Sequence, residues 1–329
     1  KSILAYGTGN IVNTTAGTIN VSGSDNIVFY SVNGGTVNNA GNITAGAGKS
    51  NIGIYNSMGT INNTGNIEVG DSVLAYDSDG IVDVINSRYS VGIYGEESNV
   101  TNSGKLTIGE NAVGLYVKNN TITAKNTGSI SAGSVSNPKN GAIGIFSEGG
   151  EGIENHGNIT LYGDDVIGIA GKGAKKIENY AVITVEGSNA KGIYSTLNTE
   201  VYNYGTINVS GNGGVGIVAP SGKIKNYGTI YFTNGAKMEA IDNAYEIPEL
   251  INAGIIKVNG NFDNTGMNIS LQPDLSTLQE STIAGIDFIM NSGSISANTL
   301  TITDTVKILP DFSQGTNATA YKLENVFNP

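Results

Sequence analysis

Residues 175–218 read KKIENYAVITVEGSNAKGIYSTLNTEVYNYGTINVSGNGGVGIV, and they hold one phrase twice. IENYAVITVEGSNAKGIY is followed by VYNYGTINVSGNGGVGIV, which sets Asn179 and Asn203 24 residues apart. Ile183 and Ile207, Val185 and Val209, and Gly192 and Gly216 keep the same interval. Self-similarity at a fixed period of this length points to a solenoid, in which each repeat contacts its neighbours and no repeat has a core of its own.

The unit extends over most of the chain as apolar-x-Asn-x-Gly-x-Ile-x-Val, a turn rich in Gly, Ser and Asn, then apolar-Gly-Ile-Tyr. Its Asn-x-Gly phrase recurs at Asn39, Asn63, Asn102, Asn126, Asn155, Asn203, Asn226, Asn252, Asn264 and Asn291. Asn179 keeps it with Ala181 in place of Gly. Apolar residues two apart follow, as in Ile67/Val69, Leu106/Ile108 and Ile183/Val185. That is strand period, with alternate side chains on one face. A third strand holds Ile52/Ile54, Val113/Leu115 and Ile143/Ile145 around a central Gly. The expected fold is all-β: a right-handed, single-stranded parallel β-helix of about 12 rungs of about 24 residues, three short strands per rung. At roughly 4.8 Å per rung the rod is roughly 55–60 Å long.

Departures from the period locate the exceptions. The Tyr-type position runs through Tyr6, Tyr30, Tyr55, Tyr76, Tyr94 and Tyr116 to Phe146, Ala170, Tyr194 and Val218. Because Tyr76 falls between Tyr55 and Tyr94, residues 77–94 read as one extra, compressed rung. Residues 133–141 (GSVSNPKNG) read as a true insertion and are expected to protrude, since extra residues in a solenoid map to turns. Residues 1–270 form the regular helix in this reading. Residues 271–329 are an irregular continuation, with 271–285 (LQPDLSTLQESTIAG) bulging out and YKLENVF a last apolar strand.

Composition excludes several classes. The net charge is −11 with a single Arg, Arg88, so the basic footprint of a nucleic-acid or anionic-membrane binder is absent. Without cysteine there are no disulfides and no thiolate metal sites. No stretch approaches the ~18 consecutive apolar residues of a spanning helix, and no signal peptide opens the chain. Lys1 begins inside a repeat-like phrase, ILAY, which suggests a piece of something longer.

The Asn column reads as structural, because stacked amides can bond rung to rung. The Tyr column (Tyr55, Tyr94, Tyr116, Tyr194) lies opposite the inward Ile residues and is expected outside, where rings stack on each other, on a sugar or on a partner. Tyr180, Tyr204 and Tyr227 form a second column. His156, the one histidine, sits at the variable middle of Asn-x-Gly and carries no triad or metal signature. Asp77-Ser78-Asp79-Gly80 resembles the start of a calcium loop, but Ala75 and Asn86 stand where further acidic ligands belong. Gly211–Gly216 lacks the strand–helix setting of a phosphate loop. Parallel β-helices include enzymes that cut acidic polysaccharides, which need clustered carboxylates with Lys or Arg. The expectation here is no enzyme, no cofactor and no metal.

The Asn-x-Gly-x-Ile/Gly-Ile-Tyr coil, followed by TVKILPDFSQGTN and YKLENVF, resembles the passenger domains of large fusobacterial type V autotransporters. These are outer-membrane adhesins, among them the arginine-inhibitable coaggregation type. The resemblance implies an extracellular, surface-held fragment whose partners are surface proteins or glycans of other bacteria or host cells. It also implies a signal peptide and a C-terminal β-barrel outside this sequence, and no membrane insertion of this part. It supplies no binding residue. The contact candidates come from the departures and the exposed column: Asp77, Asp79 and Arg88 on the compressed rung, Ser136, Asn137, Pro138 and Lys139 on the loop, and the four tyrosines. The alternatives are a passive stalk presenting an adhesive domain and a polysaccharide lyase or hydrolase.

Overall fold

A computed structural model describes residues 2–79, 81–196, 199–219 and 223–233, and beyond them the backbone of further strands as far as Phe327–Asn328. Every described element is a strand. All but one pair stack into three parallel sheets, and as far as Lys237–Glu239 each turn of the coil gives one strand to each sheet. Sheet A runs from Ser2–Gly7 to Lys237–Glu239, sheet B from Asn10–Asn13 to Phe327–Asn328, and sheet C from Thr18–Asn20 to Lys307–Ile308. The result is a parallel β-solenoid of about nine turns with three strands per rung.

The count is lower than the twelve expected, and one reason is visible at residues 77–94. Val73–Tyr76 and Val82–Arg88 pair antiparallel with each other and with no strand of the three sheets. Ile52–Ser57 pairs directly with Val91–Glu96, placing Tyr55 opposite Tyr94. Residues 77–94 therefore add no extra rung: Val91 onward belongs to the next ordinary turn, and Tyr76 belongs to an inserted hairpin.

Inward residues form three apolar columns with almost no exposure. Ile43, Ile67, Leu106, Ile130, Ile159, Ile183, Ile207 and Ile230 come from sheet C. Ile61, Val100, Ile153, Ile177, Val201 and Ile224 come from sheet B, and Ile54, Ile93, Leu115, Ile145, Ile169, Ile193 and Ile217 from sheet A. Each fully buried Ile or Leu contributes about 1.5–3 kcal/mol relative to an exposed one, and in a solenoid that gain exists only while the next rung is present.

Sheet A departs from simple alternation at its central Gly. Ile54 is fully buried while Ile52, two residues earlier, is only partly buried and lines the outer surface. A Cβ on Gly53 would lie 2.6 Å from the Gly92 carbonyl oxygen and 2.7 Å from Cγ2 of Ile67. The Gly column thus lets the strands approach closely and change phase, so the aliphatic residue before it joins the Tyr on the outer face.

Between sheets B and C runs the Asn ladder. Nδ2 of each Asn donates to Oδ1 of the next, from Asn13 through Asn39, Asn63, Asn102, Asn126, Asn155, Asn179 and Asn203 to Asn226, at 2.7–2.9 Å. From Asn39 on, the other Nδ2 hydrogen of most members meets the carbonyl two residues downstream, at 2.9–3.3 Å. Gly is favoured at that downstream position because a Cβ on Gly128 would meet the Gly104 carbonyl oxygen at 1.9 Å.

In the backbone strands further on, Asn252 stays opposite Asn226. Asn264 faces Ala297, and Asn252 faces Leu271, so the Asn264 phrase is out of register with the column. Asn291 and residues 272–285 lie outside the described residues, as does most of YKLENVF.

Candidate functional site

The hairpin leaves the coil between sheet C strand Asn66–Val69 and sheet A strand Val91–Glu96. Two buried serines close its neck. The Ser90 amide donates to Ser72 Oγ at 2.9 Å, and Ser90 Oγ donates to the Asp71 carbonyl at 3.0 Å. The tip is an Asx-type turn, in which Asp77 Oδ1 accepts the Asp79 and Ile81 amides at 3.0 and 2.8 Å. Asp77 is thereby occupied with its own backbone, while Asp79 is exposed. Tyr76 and Ile81 are 61% and 64% exposed at the tip. Arg88 ties the base of the hairpin to Asp25 two rungs back, and Ser50 Oγ donates to the Arg88 carbonyl at 2.9 Å.

The loop at residues 133–141 protrudes as expected. It turns on an antiparallel bridge between Ser134 and Asn137, with Val135 76% exposed at its tip and Ser136, Asn137 and Pro138 exposed beside it. It also leaves between a sheet C strand, Ile130–Ala132, and a sheet A strand, Ile143–Glu148. Both insertions therefore emerge from the same corner of the solenoid, two rungs apart. They are joined there: Lys139 Nζ reaches back to Asp71 Oδ1 at 3.1 Å, and Asp71 also accepts the Glu110 amide at 2.8 Å. Burial works against the Asp71 carboxylate, yet the Glu110 amide and the Lys139 ammonium hold its carboxyl below the usual range. Sequence reasoning singled out Lys139 but gave Asp71, Ser72, Ser90 and Asp25 no such roles. Their partners are 18 to 68 residues away, a separation that no local pattern reports.

The outer face of sheet A carries the tyrosines. Rings stack from Tyr6 through Tyr30, Tyr55, Tyr94 and Tyr116 to Phe146, with centroids 4.5–5.6 Å apart. Tyr94 and Tyr116 lie face to face, 4° from parallel; Tyr55 meets Tyr94 edge-on, at the step where the hairpin departs. Tyr194 stands apart from this run, with Ala170 and Val218 as its register neighbours. Burial, then hydrogen bonds to Glu96 and Glu148, raises the Tyr55 and Tyr116 phenols far above their ordinary value. Those bonds hold the two carboxyls low, assisted by Lys118 and Lys172 respectively. Stacked rings spend their faces on each other and present edges to solvent, which leaves little platform for a sugar.

Beside the stack lies a groove of about 540 Å³. Its floor is the outward aliphatic column, Ile52, Val91, Val113 and Ile143, against Tyr94, Tyr116 and Phe146. Arg88 and Asp25 line one end, Glu148 and Lys172 the other. Arg88, Tyr94 and Tyr116, three of the sequence candidates, thus share one cavity. A second stack covers another face, with His156 lying flat on Tyr180 at 4.4 Å, followed by Tyr204 and Tyr227. His156 caps that stack, with Glu154 Oε2 3.6 Å from its Nε2. Among the described residues no three His, Asp or Glu side chains form a metal-sized group, and no helix is long and apolar enough to cross a membrane.

Two stretches match known family models. Residues 44–150, which hold the hairpin, the loop and most of the groove, are similar to the BigA third pectate lyase-like domain. Residues 282–329 are similar to the BigA beta sandwich domain. No curated protein and no solved structure matches the chain.

Proposed function

We propose that the chain is part of the passenger of an autotransporter-type surface adhesin, displayed outside the cell, with the coil as spacer and the insertion-bearing corner as contact surface. The two BigA-type matches support this class. The observation that carries the contact surface is the corner itself, where a hairpin exposing Tyr76 and Ile81 is coupled through Asp71–Lys139 to a second projecting loop. Such insertions cost a solenoid little, because the rungs close over them. The partner is a surface protein or glycan of another bacterium or a host cell, as in coaggregation of the arginine-inhibitable fusobacterial type. Weak contacts of this kind gain from many copies on one surface through effective concentration.

The protein is proposed to be no enzyme, the pectate lyase-like name describing a shared fold. Supporting this, Glu96, Glu148, Glu151 and Glu178 are each paired with a Lys along the rod instead of converging on one point. Beads coated with the whole chain are expected to bind partner bacteria or epithelial cells, and free arginine in the medium to compete. A Gly-Ser link replacing residues 74–87 is expected to abolish that binding without lowering the melting temperature. Undiminished binding after the replacement would move the contact off the corner, and no binding by the intact chain would leave a passive stalk. Release of unsaturated sugars from polygalacturonate would establish a lyase instead.

A further inference from the structure

The tyrosines on sheet A carry a chemistry that contact through the corner does not use. The chain has no Trp and no Cys, so tyrosine is the side chain that a one-electron oxidant reaches first. Methionine reacts by another route, taking up an oxygen atom as the sulfoxide.

Tyr94 and Tyr116 combine the two things that phenol oxidation needs, a proton acceptor and a ring neighbour. Tyr116 Oη donates to Glu148 Oε2. The Glu148 carboxyl is held below its usual range, first by that bond and, against burial, by Lys172, so it stands ionised. A phenol that loses an electron becomes a strong acid, and its proton can pass along the hydrogen bond to the carboxylate. The ring neighbour is set by register, with Tyr94 opposite Tyr116 on adjacent parallel strands. Their centroids are 4.5 Å apart and their planes 4° from parallel, the nearest and flattest of the described tyrosine–tyrosine stacks. A phenoxyl radical carries part of its unpaired electron on the carbons ortho to oxygen, and here those carbons lie against a second phenol. Both rings are half-buried, which favours coupling to each other over coupling to another molecule. Tyr6, 64% exposed at the end of the stack, gives an oxidant its entry, and each ring from there to Tyr116 lies within 5.6 Å of the next.

We propose that Tyr94 and Tyr116 are an oxidative cross-linking site, joined as dityrosine by a haem peroxidase acting with hydrogen peroxide. Each phenol gives up one electron and one proton, and the two radicals form one carbon–carbon bond between ortho positions. The hydrogen on each of those carbons then moves to the phenolic oxygen, which restores both rings. The peroxide O–O bond breaks as it takes up the two electrons and two protons, leaving two waters. The link staples Val91–Glu96 to Val113–Lys118 and constrains the unfolded chain as a disulfide does. The reaction does not depend on the adhesin reading, and its test needs no partner cell.

The whole chain, at high dilution, is treated with a plant haem peroxidase and hydrogen peroxide, then denatured, digested with trypsin and mapped by tandem mass spectrometry. Cleavage after Arg88, Lys105 and Lys118 puts the two tyrosines on separate peptides, 89–105 and 106–118. These peptides are expected to be joined through Tyr94 and Tyr116 in monomeric protein, with dityrosine fluorescence and a raised melting temperature. Tyr116→Phe keeps a ring in the stack, as Phe146 does, and should lose the link. Glu148→Gln can still accept the phenol's hydrogen bond but cannot take its proton. It should slow linking roughly tenfold or more with an unchanged circular dichroism spectrum.

Dityrosine confined to dimers joined through the exposed Tyr6 or Tyr76 would overturn the proposal. So would the absence of any bond between the two peptides, or a bond through Tyr89 in place of Tyr94. An unchanged rate in Glu148→Gln would contradict it as well, since the carboxylate would then have no part in the reaction.

Discussion

Asn102 donates to Asn126 and accepts from Asn63, both at 2.7 Å and out of reach of water. Replacing it with Leu strands a donor above and an acceptor below. At about 1–3 kcal/mol for each buried unsatisfied group, Asn102→Leu is expected to cost about 3 kcal/mol, read as a shift in the urea midpoint. Asn126→Asp is more informative, because a carboxylate there would face the oxygens of Asn155 and Gly128 with no proton to offer. Its folded pKa must lie above the unfolded value of about 3.9, since only the protonated acid can donate. The native state then binds more protons than the unfolded one, so stability falls as pH rises through that window. The variant is expected to match the wild type most closely below pH ~4 and to be weakest near neutrality; equal deficits at both pH values would contradict the ladder. Tyr180 gives a milder case on the surface. Burial, then Glu178, pushes its phenol up to about 12. With the folded value raised, its contribution is complete below pH ~10 and fades as pH climbs through about 12. An ultraviolet titration should lose one such ionisation in Tyr180→Phe.

Glu97 and Met58 show what the turns between elements require. Both sit at the sheet A to sheet B corner with φ of 50° and 58°, in a column where Gly149 and Gly173 have φ of 64° and 68°. A left-handed residue with a Cβ costs roughly 1–2 kcal/mol, part of which Gly returns through unfolded-chain entropy. Glu97→Gly is therefore expected to raise stability by up to about 1 kcal/mol, measured by thermal melting. The hairpin shows where reading by pattern ends. Tyr76 lies 21 residues after Tyr55 and 18 before Tyr94, close enough to the period to imitate a column member. The contrary signal was present in the sequence Asp77-Ser78-Asp79-Gly80, turn-forming residue types between two apolar runs, which is how a hairpin tip is written. The loop at residues 133–141 carried no such imitation, and its protrusion was legible. That the two insertions share a corner was not, because it depends on which sheet-to-sheet turn each one interrupts.

Across the whole molecule, the three-strand coil, its core columns and its amide ladder were legible because one residue type recurs at each structural position. The outer face was legible only in part. Alternation puts the tyrosines outside correctly, but the phase change at the Gly column, which brings Ile52, Val91 and Val113 alongside them, follows from a backbone clash that spacing does not report. The functional account depends on the coil closing over residues 73–88, so that the hairpin stands off the rod as an appendage. The most direct test uses the cysteine-free background. Asn62 and Thr101 are exposed register partners on adjacent strands, and neighbouring strands are roughly 4.8 Å apart, within disulfide range. Asn62→Cys with Thr101→Cys should form an intramolecular disulfide on mild oxidation as readily as the control pair Asn38→Cys with Asn62→Cys, one ordinary turn apart. If residues 77–94 instead form a rung, positions 62 and 101 lie roughly 10 Å apart, and both thiols would stay free while the control pair closes.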